Sequence, residues 1–435
     1  MMTRDIGLFR RLKLLNSIPK KYNYYFIFTF LIITAFLIIN FFSYNSNYID
    51  SDGYWYYQYF TRIFITKDYI GGDLIKYPCG TTLLQLPFLL ISLLISKIFN
   101  IDFGNGLSVF SDKIILISGD FYCILALILI YKIIKVYYSD KVASCTCISL
   151  FFGTMLADYA TGYLVSFSHI YGLFISSLFI YFVIIYEKNY DNISNNQKIL
   201  SDFLMGLILG LAFLVRHTNI IIVLIYIFYN VCSFNDLKTR IKKILSRRVF
   251  IQLIPFLLLF LLQIILYKLT TGELVFYSYK NEAFIYWANP QIYKVLFSAA
   301  KGLFIYCPLL YLGLIGMLCM DNKQFKTFSI IIFIVLTYII AAWECWWLGS
   351  CYTERMFCDF LCIFAIPFAY IFNLLFSSRK KYLVQKFCIY AFILCAVSLN
   401  FIWIDAMKKG YIDPYLASLD MLRNSLKVQY HQLIK

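Results

Sequence analysis

Residues 25–60 read YFIFTFLIITAFLIINFFSYNSNYIDSDGYWYYQYF: an apolar run from Tyr25 to Phe42, a short polar step, then two aspartates followed at once by aromatics. A helix needs about 20 residues to cross the hydrocarbon core of a bilayer, and this run has that length. Arg4, Arg10, Arg11, Lys13, Lys20 and Lys21 precede it, and no small-residue cleavage site follows. The stretch therefore predicts an uncleaved first transmembrane helix, a basic cytoplasmic segment over 1–24, and a carboxylate-bearing loop on the far side.

Working outward, similar apolar runs occur at 114–134, 142–157, 168–186, 202–215, 218–232, 249–269, 302–320, 327–346, 357–376 and 387–404, giving eleven candidate spans. The whole chain agrees: of 435 residues 61% are hydrophobic and only 14% charged, yet the net charge is +16. Soluble domains carry about 25% charged residues, so a water-soluble globule, a disordered chain and a disulfide-stapled secreted module are all excluded. A nucleic-acid-binding surface needs a soluble domain to present it, and none is visible. The thirteen cysteines lie mostly inside apolar runs, without CxxC spacing, and read as small packing residues. The expected fold is all-α and polytopic, a single membrane domain over 25–405 with about eleven transmembrane helices. An amphipathic tail at 406–435 follows on the outer side.

A twelfth run, Thr82 to Phe99, is placed by charge. If it spans, the loop with Lys132, Lys135 and Lys141 faces outward. If it lies along the membrane surface, every strongly basic loop falls on one side, which then holds 23 of the 39 basic residues. That choice puts the N-terminus in the cytoplasm of a plasma (inner) membrane protein. The loops 44–113 and 270–301 and all six tryptophans fall on the outer face. Long loops carry function more often than short connectors.

On that outer face stand Asp50 and Asp52, then Lys76 and Tyr77, His169, Arg216 and His217, Lys301, Trp347 and Arg355. Singly each has an ordinary reading: D-x-D is short and common, Asp52 also suits a helix N-cap, and a lone Arg at a helix end snorkels to head groups. Together they form a different pattern. Charge at a membrane face is costly unless paired or used. Two adjacent carboxylates among aromatics can act as a base, and arginine forks with lysines opposite them suit an anionic leaving group.

Six blocks in order, DSDGYWYYQYF (50–60), KYPCGTTLLQLPFLL (76–90), FSHIYGLF (167–174), GLILGLAFLVRHTNII (206–221), FSAAKGLFIYCPLL (297–310) and WECWWLGSCYTERM (343–356), resemble bacterial membrane glycosyltransferases of the GT-C superfamily. These are relatives of protein O-mannosyltransferases and of the lipid A aminoarabinose transferase. The resemblance implies that Asp52, with Asp50 second, is the catalytic base, and that the donor is a sugar on a polyprenyl phosphate or diphosphate. It implies that the amphipathic segment Tyr77 to Phe99 lies on the surface, and that Lys301 and Arg355 are the basic residues facing the donor. His217, where a proline is common, and Cys351–Glu354 depart from the family pattern and bear on which sugar and acceptor are used. The implied acceptor is a lipid, glycan or protein at the outer face, and the transfer is a single inverting displacement. No cofactor is required by this reading, although the two acids leave a divalent cation open as an alternative. A lipid-linked glycan polymerase or ligase, and a flippase or transporter, are the competing classes.

Overall fold

The computed structural model of the protein describes residues 24–44, 49, 51–67, 75–101, 108–246, 248–274, 279, 282–377 and 383–434. The basic residues before Tyr24, Arg247, the basic group at 379–381 and Asp50 lie outside the described residues, so the expectations attached to them are not addressed below.

Among the described residues every regular element is helical. In chain order these are α1 (Tyr24–Ser43), α2 (Ser51–Phe60), α3 (Gly80–Phe99), α4 (Val109–Lys135) and α5 (Asp140–Phe152). Then come α6 (Ser168–Asn189), α7 (Asn195–Val215), α8 (Val223–Phe228), α9 (Phe234–Ile244) and α10 (Arg248–Thr271). The last five are α11 (Leu310–Cys319), α12 (Lys323–Ala342), α13 (Ala365–Ser377), α14 (Leu383–Lys408) and α15 (Leu419–Ile434). A 3₁₀ segment, Arg355–Phe364, leads directly into α13.

Nine helices among these residues are long and apolar enough to cross a membrane. Eight coincide with expected spans; the ninth is α3, Gly80–Phe99, the run expected at the membrane surface, which has the length and composition of a span as well. The other three expected spans are broken into shorter pieces, each for a local reason. Gly153 ends α5 within 142–157. Arg216 takes extended backbone and is followed by a 3₁₀ turn, His217–Ile222, before α8. Pro308, which lacks an amide hydrogen, stands between the short helix Leu303–Tyr306 and α11.

Burial separates the helices into a centre and a periphery. In α6 and in Arg355–Ser377, 78% and 72% of the spanning window is buried, against 22%, 17% and 22% in α1, α10 and α14. The outer helices leave Leu31, Ile39, Phe250, Leu258, Phe387 and Leu394 exposed, the side chains expected against lipid tails. The tail contains α15, which is tied back to α14 by Gln429 Nε2 donating to the Ile402 carbonyl at 3.0 Å.

Association between apolar helices inside a membrane depends on close packing, because burial from lipid supplies no hydrophobic gain. Helix α7 meets that need with Gly206 and Gly210, one turn apart. A Cβ at Gly206 would lie 1.8 Å from the Gln252 carbonyl oxygen of α10, and one at Gly210 would lie 3.1 Å from Phe256 Cα. The same contact carries a polar tie, Gln252 Nε2 donating to Asp202 Oδ1 at 3.1 Å. Gly206→Ala should therefore destabilise the purified protein by about 1–3 kcal/mol, read as a lower thermal midpoint in detergent. An unchanged midpoint would mean that α7 and α10 do not approach this closely.

Candidate active site

Helix α2 opens with Ser51 in left-handed backbone (φ 58°), which sets Asp52 in its first turn. Asp52 Oδ1 accepts from the Tyr77 hydroxyl at 2.7 Å, and Oδ2 accepts from Arg355 Nη1 at 3.0 Å. The Asp52 and Arg355 side chains are only 12% and 16% exposed, so this is an ion pair largely removed from water. Burial acts to raise the Asp52 carboxyl, but Arg355, the Tyr77 hydrogen bond, Arg216 and His169 together outweigh it and hold the group below the usual carboxylate range. Tyr77 is itself fixed. Its ring lies 5.1 Å from that of Tyr56, and its carbonyl accepts from the Tyr59 hydroxyl at 2.8 Å.

Arg355 arrives at the end of an unusual loop. Leu348, Gly349 and Thr353 all have left-handed backbone (φ 53°, 79° and 49°), a conformation that costs about 1–3 kcal/mol for a non-glycine residue and is rare for a β-branched one. Lys301 holds that loop in place. Its fully buried ammonium donates to the carbonyls of Cys351 and Pro414, and its own carbonyl accepts from Thr353 Oγ1 at 3.1 Å. Lys301, expected to face the donor, clasps backbone from the loop and the C-terminal segment, and none of its described hydrogen bonds is to Asp52, Arg216 or Arg355. Glu354 beside it is fully buried, and neither of its carboxylate oxygens has a hydrogen-bond partner among the described residues. Burial, followed by the neighbouring Cys351, pushes its carboxyl well above the usual range despite Lys301 and Arg355.

The helix break after α7 presents Arg216, which is partly exposed. Its Nη1 donates to Ser168 Oγ at 3.4 Å and to His169 Nε2 at 3.2 Å, both at the start of α6. His169 Nδ1 in turn meets Asp359 Oδ1 at 2.6 Å. Lys76 sits over the rings of Tyr279 and Tyr77, 4.8 Å and 5.7 Å from their centroids, and so borders the same group. Two expected members stand aside. The His217 ring rests on Phe213 at 4.6 Å, and Trp347 lies edge-on to Trp346 at 5.8 Å.

The structure thus brings Asp52, Tyr77, Lys76, His169, Arg216 and Arg355 together from five separate stretches of chain. It adds Tyr56, Ser168 and Asp359, which sequence reasoning missed. Asp359 carried a usable signal, since an acid inside the apolar run FCDFLCIF is expensive unless it has a partner. Tyr56 and Ser168 carried none beyond adjacency to quoted motifs.

Both carboxylate oxygens of Asp52 are engaged, by Tyr77 and by Arg355, and among the described residues no group of three or more His, Cys, Asp or Glu side chains gathers.

No protein-family model matches the chain, and no curated protein matches it. Among solved structures its fold is similar to that of the oligosaccharyltransferase of Archaeoglobus fulgidus, solved as a crystal structure in complex with Zn and sulfate. The TM-score is 0.56 at 14% identity, over 91% of this chain and 53% of that one. The chain thus spans about half the length of the archaeal enzyme. The protein is a multi-pass, all-helical membrane protein that shares its fold with a membrane oligosaccharyltransferase.

The ion pair has a titration consequence. A carboxyl lowered in the folded state contributes stability above the ordinary carboxylate range and loses it as pH falls through the folded value. In Arg355→Met burial acts with its largest opponent removed, so Asp52 should take up its proton at higher pH. The protonated-carboxyl infrared band that Asp52→Asn abolishes should emerge at higher pH in Arg355→Met than in wild type; equal onset would dispose of the pair.

Proposed function

We propose that the protein is a GT-C-type glycosyltransferase that moves a sugar from a polyprenyl-phosphate-linked donor to a hydroxyl on a lipid, glycan or protein acceptor at the outer face of the plasma membrane. The observation that carries the reading is the Asp52–Arg355 pair with Arg216 beside it: one carboxylate and two guanidiniums in a largely dry site at the end of a membrane helix bundle. The fold shared with an oligosaccharyltransferase supports it. That archaeal structure was solved with Zn and sulfate; in this chain the guanidiniums of Arg216 and Arg355 offer the planar donors that an oxyanion takes.

Arg355 neutralises Asp52 in the free protein. The donor phosphate competes for the same fork, since guanidinium pairs bidentately with phosphate as it does with carboxylate. As Arg355 turns to phosphate, the buried Asp52 loses its nearest counterion and becomes a stronger base. It then takes the acceptor hydroxyl proton while the acceptor oxygen bonds to the anomeric carbon. The bond from that carbon to the phosphate oxygen breaks, its electron pair leaves on phosphate, and Arg355 and Arg216 hold the resulting charge. Attack opposite the leaving group inverts the anomeric configuration. Tyr77 stays on Asp52 Oδ1 and aims Oδ2 at the acceptor.

The test is transfer from radiolabelled polyprenyl-phosphate sugars by purified protein in lipid nanodiscs. A positioned base contributes about 10²- to 10⁴-fold and a preorganised charge donor about 10²- to 10³-fold. Asp52→Asn should therefore lower kcat on the first scale with donor KM little changed. Arg216→Ala should raise donor KM and lower kcat on the second. Full turnover by both Asp52→Asn and Asp50→Asn would remove the base assignment. Movement of donor between leaflets with no bond cleaved would establish a transporter instead.

A further inference from the structure

The geometry points to Asp359 as a positioning residue that, through His169, aims the Arg216 guanidinium at the phosphate of a lipid-linked ligand. The identification of that ligand as a phosphate rests on the function proposed above. Asp359 lies in the 3₁₀ segment Arg355–Phe364, where every residue from Met356 to Phe364 is buried. The Asp359 and His169 side chains are 1% and 0% exposed, so neither is placed to touch a substrate itself. A carboxylate so situated needs a partner, and it has one in His169 Nδ1 at 2.6 Å.

The chain of hydrogen bonds has a single direction. An ionised carboxylate only accepts, so His169 carries its proton on Nδ1; a guanidinium only donates, so Nε2 presents its lone pair to Arg216 Nη1 at 3.2 Å. Asp359 thereby sets the tautomer that allows His169 to receive Arg216. With the proton on Nε2 instead, two N–H groups would face each other. Both described hydrogen bonds of Arg216 use Nη1; the charges it senses are Asp359 first, then Tyr56, Tyr279 and Arg355, and its own charge acts on Asp52.

The backbone is shaped around this arrangement. Gly172 follows His169 by three residues on α6, and a Cβ there would lie 2.4 Å from Asp359 Oδ2 and 2.9 Å from Asn219 Nδ2. Only glycine lets α6 approach the Asp359 carboxylate this closely. Arg216 and Asn219 are themselves tied, the Asn219 amide donating to the Arg216 carbonyl at 2.8 Å. Asp359, His169 and Arg216 thus come from three stretches of chain that converge on one contact.

Two measurements test the assignment without requiring sugar transfer. The first is the ¹⁵N NMR tautomer of His169 in the wild-type protein; with only three histidines in the chain, His169→Gln identifies the signal. Nδ1-protonated imidazole is expected, and an Nε2-protonated ring overturns the inference even where Asp359→Asn fails to fold. The second is binding of a sugar-free polyprenyl monophosphate by full-length protein in nanodiscs. Asp359→Asn should weaken it about tenfold, and should add no further loss in an Arg216→Ala background, because the effect passes through Arg216. Additive losses, or no binding by wild type, overturn it. If tautomer and coupling hold but no sugar is transferred, the positioning role stands and the enzymatic reading fails. If wild type transfers sugar and Asp359→Asn keeps donor KM and kcat, the reverse is established.

Discussion

The arrangement of this protein turns on one ion pair, Asp52 with Arg355, drawn from positions 303 residues apart. Removing two charges from water costs more than their attraction reliably returns, so such a pair is weak evidence of stability. It is better understood as a constraint on geometry. For Oδ2 and Nη1 to meet at 3.0 Å, the first helical turn after α1 and the loop after α12 must both be held to a fraction of an ångström. Tyr77 and Tyr59 secure the first side; Lys301, lodged on the Cys351 and Pro414 carbonyls, secures the second. The left-handed residues of that loop persist because the surrounding contacts over-determine them, as backbone strain near functional sites generally requires.

The same logic operates deeper in the bundle. Gly206 and Gly210 allow α7 to lie against α10, and α7 ends at Arg216; Gly172 allows α6 to approach the segment that bears Asp359. Missing side chains in the apolar layer therefore fix where the charged ones emerge. A Cβ at any of these positions acts on the site by moving a helix, without touching a reacting group.

Much of this was legible in the chain before any coordinates. Hydrophobic runs located eight of the long helices because twenty apolar residues have few other fates. The remaining three runs come apart locally in ways a hydropathy average passes over: Gly153 ends one helix, Pro308 interrupts another, and 218–232 divides between a 3₁₀ turn and the short α8. Charge asymmetry is what sets α3 apart, since in length and composition it resembles the spans. At the site, Asp52, Tyr77, Arg216, His169 and Arg355 were visible because they are polar residues flanking apolar runs. Lys301 fits that description equally well, yet its ammonium meets backbone carbonyls, which a motif alone does not reveal. Asp359 was hidden by the opposite effect: one acid inside an apolar run leaves the average almost unchanged, although its burial makes it the residue most in need of explanation.

The two arginines of the site are offset by acids, while Lys76 adds one further positive charge over aromatic rings. Asp52 and Arg355 cancel directly, and Asp359 offsets Arg216 through a neutral imidazole. A cluster of uncompensated guanidiniums would be costly to keep dry and would bind any passing anion. With both guanidiniums paired and Lys76 resting on the Tyr77 and Tyr279 rings, the group is tolerable in the empty state, and a phosphate reaches either arginine by exchanging partners. Only the Asp52–Arg355 pair is direct, so under the function proposed above exchange with a phosphate falls on Arg355 and releases Asp52. On that proposal anion binding and base activation are a single event, which ties proton removal to the lipid-linked donor.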